Sequence, residues 1–199
     1  WVMHTALQQI QTWQDGGLEL PVSINVGARL LQQHDFVQRI QTILAAHPGV
    51  DPRNVELEVL ETSALLDIDR VSWSMQECRD FGVKFALDDF GTGYSSLAYV
   101  KRLPVTQLKI DQSFVRDMLV DKDDMAILRA VMGLATAFQQ EVIAEGVETA
   151  EQGLALMQLG CDFAQGYFIS RPLPAQAVPL WAQNWRSDPA WRTPEPSLP

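Results

Sequence analysis

Cysteine is scarce in this chain. Two of its 199 residues are cysteines, Cys78 and Cys161, and neither lies in a Cys-x-x-Cys or Cys/His cluster. That spacing excludes a sequence-local zinc site and a disulfide framework, and it fits a reducing compartment. Long apolar runs are missing as well. None approaches the roughly 18 residues of a membrane span, and the start has neither the basic nor the apolar region of a secretory signal. Positive charge is in deficit: 15 lysines and arginines stand against 25 aspartates and glutamates, a formal charge of -10. A basic face for polymeric nucleic acid is thereby excluded, while a small anionic ligand held through metal ions is not. The first β-rich run ends in SINVGARLL, which is no Gly-rich phosphate loop, so the fingerprint of a doubly wound dinucleotide sheet is lacking too. There is no initiator methionine. The chain opens at Trp1 inside an amphipathic pattern (Val2, Leu7, Ile10, Trp13), which reads as a piece of a longer protein with a sensory or signalling domain upstream.

What is present suffices for one substantial core, with 47% hydrophobic residues. Short β-rich runs at 21–26, 55–60, 83–88, 107–111, 141–144 and 162–166 alternate with amphipathic stretches near 2–14, 28–46, 63–80, 122–139, 149–159 and 175–185. The alternation predicts βα units and a parallel sheet. Breaks fall at Gly16-Gly17, Pro48-Gly49 and Phe81-Gly82. The expected fold class is α/β, a TIM-like (β/α) barrel with six of its strands in this chain, since eight units take about 250 residues. One domain is expected over 1–185, followed by an irregular, proline-rich tail over 186–199.

The strand ends carry the chemistry. Asn25, Glu58, Asp88, Asp89, Lys109, Glu145 and Gln165 each stand at or near the C-terminal end of an apolar run, the rim on which barrels build active sites. Four carboxylates converging there would repel one another and force protonation unless cations cancel them. Two divalent ions would do so. All-oxygen ligands favour magnesium or manganese, and adjacent Asp88 and Asp89 would let one carboxylate bridge ions roughly 3.5 to 4 Å apart, the arrangement used in phosphodiester hydrolysis. Lys109 would be the one cation in the cluster. Each residue also has a plainer reading: Asn25, Asp88-Asp89 and Glu145 as turn formers, Lys109 as a snorkelling side chain, Glu61 as a cap for a helix beginning near Ser63. Glu58 is harder to read that way, because it interrupts an apolar strand.

At DDFGTGYSSL (88–97) the chain resembles the EAL family of cyclic-di-GMP phosphodiesterases. SIN at 23–25, ELEVLET at 56–62, QLKID at 107–111, VIAEGVET at 142–149 and AQGYFISRPLP at 164–174 follow in the family's order. The resemblance implies a modified TIM barrel that hydrolyses cyclic di-GMP to linear pGpG with two magnesium or manganese ions. It implies Asn25, Glu58 and Asp88 as ligands of one ion, Asp88 bridging, and Asp89 and Glu145 as ligands of the second. Lys109 would position the catalytic water with support from Gln165, and Glu61 would steady the DFGTGYSSL loop, a segment that often takes part in dimerisation. The Glu-x-Leu-x-Arg segment that names the family would lie before Trp1. The expectation is therefore an active longer protein, a weak or inactive fragment, and an open sheet edge beside SINV that favours a homodimer. A non-catalytic cyclic-di-GMP receptor or regulatory module is the alternative. Location is expected to be cytoplasmic, a membrane-tethered protein with this domain on the cytoplasmic side being equally compatible.

Overall fold

Apolar spacing and glycine stops account for most element boundaries. The computed structural model describes residues 1–64, 67–93 and 100–191. Their contacts divide into two compact units, residues 1–109 with 135–141, and residues 110–134 with 142–199. Six strands in chain order alternate with helices among the described residues: β1 (Val22–Asn25), β2 (Val55–Leu60), β3 (Lys84–Phe90), β4 (Gln107–Ile110), β5 (Glu141–Glu145) and β6 (Phe163–Gln165).

In the first unit, helix α1 (Val2–Asp15) buries Leu7 and Ile10, one helical turn apart. It stops at the predicted glycine pair. Gly17 takes φ 81°, and the Leu18 and Gly17 amides donate to Trp13 O and Gln14 O, the two bonds of a Schellman stop. Strands β1, β2 and β3 pair in parallel, Asn25 opposite Glu58 and Glu58 opposite Ala86. Val55, Leu57 and Val59 of β2 are fully buried and alternate with Glu56 and Glu58, so the strand presents an apolar face and an acidic one. Each of those apolar side chains contributes roughly 1.5–3 kcal/mol through burial.

The helix expected over 28–46 is two helices, α2 (Ala28–Leu31) and α3 (Phe36–Ala45). Leu31, Phe36 and Ile40 are all buried, but a five-residue step from 31 to 36 would put the first two on different sides of a continuous helix. The chain therefore breaks between them. The stretch expected over 63–80 appears as α4 (Glu61–Ala64) and α5 (Ile68–Asp80), with 65–66 outside the described residues. Asp67 caps α5 through the Arg70 amide, and Val71, Met75 and Cys78 form its buried stripe.

In the second unit, α6 (Gln112–Asp117) is a helix the periodicity did not indicate, capped by Asp111 through the Ser113 amide. Helix α7 (Lys122–Phe138) begins in this unit and matches the expected 122–139. Strands β5 and β6 run parallel with Glu145 opposite Gln165. Helix α8 (Ala150–Gln158) opens with a capping box between Thr149 and Gln152. The Gln152 side-chain Nε2 also donates to Val115 O and Arg116 O at 3.2 and 3.1 Å, which fastens α8 to α6. A 3-10 turn (Ala175–Ala177) runs into α9 (Val178–Asn184), within the helix expected over 175–185. The chain after Trp185 is not wholly irregular. Residues 189–191 form a 3-10 turn, and the Trp191 indole donates to Ala150 O at 2.8 Å, while 192–199 lie outside the described residues.

The Trp191 anchor depends on Gly153, where an added Cβ would meet Trp191 Cζ2 at 2.2 Å. Gly153→Ala is expected to displace the indole and lower unfolding free energy by about 1–3 kcal/mol. In a Trp191→Ala background the same change should cost little, and urea denaturation of the four proteins measures that coupling.

Candidate active site

The acidic face of β2 meets a lysine from β4. Lys109 Nζ lies 2.8 Å from Glu58 Oε1 and 3.0 Å from Asp88 Oδ1, and the three side chains are only 6%, 9% and 12% accessible. One ammonium thus joins two carboxylates from neighbouring strands. Parallel register explains the meeting. Asn25 stands opposite Glu58 on β1, Glu58 stands opposite Ala86 on β3, and Asp88 comes two residues later on the same face as Ala86. All four residues belong to the first unit.

Two buried carboxylates against one buried ammonium leave a net negative charge where water reaches poorly. Among the described residues, no buried cation besides Lys109 is available to offset it. With Asn25 in register beside Glu58, the donor set is all oxygen. A hard divalent cation fits that chemistry and that residual charge.

Asp89 follows at φ 54°, in the left-handed region, and Gly91 follows at φ 100°. The backbone leaves the strand here in a turn closed by the Thr92 hydroxyl, which donates to Asp89 O at 2.8 Å. Asp88 and Asp89 present carboxylate oxygens within 4.8 Å of one another. Glu61, on the first turn of α4, is buried, and its Oε2 accepts from the Gly91 amide at 2.9 Å and the Gly93 amide at 3.4 Å. Its carboxylate therefore holds the turn after β3. Tyr94 to Leu97 of the expected loop lie outside the described residues.

Glu56 was not singled out by sequence reasoning, although the signal that marked Glu58 marks it as well: a carboxylate at period two in an apolar strand. The Ser23 hydroxyl donates to Glu56 Oε1 at 2.8 Å, pinning β1 to β2 two residues before Asn25 and Glu58. Burial pushes the Glu56 carboxyl above the ordinary range, the Ser23 bond opposes the rise and the Glu58 charge adds to it. Glu56 thus belongs to the acidic face and feels the Lys109 charge from farther away than Glu58, which touches the ammonium.

Glu145 and Gln165 are strand-end neighbours in the second unit. They line a cavity of about 310 Å³ with Gln112, Glu148 and Tyr167. Gly146, at φ 76°, allows the backbone to pass Gln112, whose Cβ would lie 2.5 Å from an added Cβ. Arg171 stacks over the ring of Tyr167, 4.7 Å from its centroid. The cysteines take no part: burial pushes the Cys78 and Cys161 thiols up to about 12 and about 11, so neither is a ready nucleophile or metal ligand.

The model of the EAL domain family matches residues 1–172. The chain is 38% identical over 179 residues to the bifunctional diguanylate cyclase/cyclic di-GMP phosphodiesterase MucR of Pseudomonas aeruginosa, covering 89% of this chain and 26% of that protein. It is 37% identical over 191 residues to the cyclic di-GMP phosphodiesterase NbdA of the same organism, covering 96% and 24%. It thus spans about a quarter of the length of these relatives. Among solved structures, PaMucR phosphodiesterase in complex with c-di-GMP superposes with a TM-score of 0.85 at 37% identity, over 89% of this chain and 72% of that one. The EAL domain of Mycobacterium smegmatis DcpA superposes at 0.87 and 36%, over 94% and 85%.

Lys109→Met would leave Glu58 and Asp88 facing each other without the ammonium. The expected loss is about 3–5 kcal/mol of stability in metal-free buffer. Millimolar magnesium should recover part of it in denaturant titrations, and an equal loss with and without the ion would contradict a cation-binding role for this face.

Proposed function

The chain belongs to the EAL domain family, whose fold is a TIM-like barrel, and on that premise we propose that it forms part of a metal-dependent phosphodiesterase that hydrolyses cyclic di-GMP to linear pGpG. The observation that carries the proposal is the buried Glu58–Lys109–Asp88 group at adjoining strand ends. Its relatives MucR and NbdA are phosphodiesterases of that dinucleotide, which supports the substrate.

In this reading Asn25, Glu58 and Asp88 would hold one divalent cation, magnesium or manganese. Asp89 and Glu145 are assigned to a second on the sequence motif alone. Bound divalent cations supply Lewis-acid charge that acidifies a water and offsets negative charge on the phosphoryl oxygens. The residues of the chain do the rest. Lys109, its ammonium held by two carboxylates at 2.8 and 3.0 Å, would orient a water by donating a hydrogen bond to it. Glu61 acts at one remove, since its bonds to the Gly91 and Gly93 amides restrain the turn that follows Asp88 and Asp89. Gln165 would assist from the strand beside Glu145.

Further domains with a signalling role, a homodimer and a cytoplasmic location belong to the same proposal. Relatives about four times as long support the first. No described helix is long and apolar enough to cross a membrane.

Hydrolysis of cyclic di-GMP with magnesium or manganese tests the proposal, on this chain and on one carrying about 60 further residues upstream, roughly two βα units. Turnover is expected in the longer chain, reduced a hundredfold or more by Asp88→Asn, about the loss that follows removal of one transition-state contact. Dinucleotide binding without turnover in the longer chain would instead make it a receptor.

A further inference from the structure

Of the three histidines in the chain, two meet across 43 residues of sequence. His4 stands in the first turn of α1, and His47 stands two residues beyond the last residue of α3. His4 Nδ1 lies 3.0 Å from His47 Nε2, with ring centroids 5.3 Å apart and planes tilted by 53°. His4 is exposed and His47 partly so, and both belong to the first unit. The activity proposed above uses neither residue.

We propose that His4 and His47 form a surface site for a borderline divalent cation of the zinc, nickel or copper type, which clips the start of α1 to the end of α3.

The spacing of the two nitrogens is what a shared ion requires. Zinc–imidazole bonds are about 2.0–2.1 Å long, so nitrogens 3.0 Å apart subtend about 95° at a common ion. That is close to the cis angle of octahedral or square-planar coordination. Widening the pair by about 0.3 Å reaches the tetrahedral angle, a change within reach of small rotations of the two rings. Because the site opens to solvent, water fills the remaining positions. Loading moves the hydrogen-bonded proton to the other nitrogen of its own ring, and protonation of either imidazole competes with the ion, so affinity falls at acidic pH.

Ligand chemistry separates this site from the carboxylate group. Imidazole selects zinc, copper and nickel, whereas the oxygen donors around Glu58 and Asp88 select magnesium or manganese. The two sites can therefore be addressed independently, and the histidine site does not depend on the phosphodiesterase reading. An ion bound only to the folded chain also raises its stability in proportion to RT ln(1 + [L]/Kd).

The test is calorimetric titration of zinc into the full chain in excess magnesium, with thermal unfolding and long-range imidazole nitrogen spectra followed in parallel. One zinc per chain is expected, with His4 and His47 resonances shifting together and the unfolding temperature rising. His4→Gln or His47→Gln should each weaken binding at least about tenfold, no less than the loss of a supporting group costs a metal site. His34→Gln, at the histidine whose Nδ1 meets Arg70 at 2.7 Å, should leave it unchanged. Absence of zinc binding, or binding that survives both substitutions, would overturn the proposal. Because His4 is exposed, folding of the His4→Gln chain is expected to be intact, and circular dichroism checks that.

Discussion

The ammonium of Lys109 between Glu58 and Asp88 is the constraint on which the first unit is organised. Strand ends that carry carboxylates on one face and fully buried valine and leucine on the other cannot be held together by apolar packing alone, because the acidic faces repel. A lysine at the corresponding height of β4 cancels one of the two charges at contact distance. The remaining charge makes the same place receptive to a cation. Structural and chemical demands thus coincide, and this is why removing the ammonium and adding an ion act on the same balance.

Glu56 and Glu58 show how two identical side chains on one face of one strand acquire different characters. Glu58 has an ammonium at 2.8 Å, while Glu56 has a neutral hydroxyl at 2.8 Å and its proton affinity rises with burial. In sign, a raised carboxyl means that the folded state retains its proton to higher pH than the unfolded chain does. Stability from this group is therefore present at low pH and is lost as pH rises through its titration in the folded state. The Ser23 bond also fixes the register of a four-residue strand. A slip by one residue would turn Asn25 away from Glu58.

Much of this architecture was legible because it rests on local rules. The Gly16-Gly17 pair marked the end of α1 and the Phe81-Gly82 step the break after α5, and the β-rich run at 55–60 marked β2 together with Glu58, the carboxylate that interrupts it. What was not legible depends on distant partners. The split of 28–46 follows from the need to bury both Leu31 and Phe36, and a hydrophobicity count over the whole window hides that conflict. Trp191 reads as part of a proline-rich tail until Gly153, 38 positions earlier, supplies a flat place to dock. Glu61 was ambiguous for the same reason. At a helix start a carboxylate reads as a cap, and its two glycine amides lie some 30 residues downstream.

The turn after β3 resolves a geometric problem that the motif alone leaves open. Adjacent residues in a regular strand point to opposite faces, so consecutive aspartates would be divided between the two sides of the sheet. Here the alternation is interrupted at Asp89, whose φ of 54° lies in a region that aspartate visits more readily than most side chains, at a cost of order 1–2 kcal/mol. Oxygens of Asp88 and Asp89 consequently come within 4.8 Å of one another. Such a conformation persists only where its surroundings enforce it. The Thr92 hydroxyl on Asp89 O and the Glu61 carboxylate on the Gly91 amide do so from two directions. A side chain at 93 would push on the same carboxylate, since an added Cβ would stand 2.7 Å from Glu61 Oε1. The acidic pair, the glycines after it and the distant glutamate are thus parts of one device. Weakening any of them returns the backbone toward a plain strand in which the two carboxylates separate.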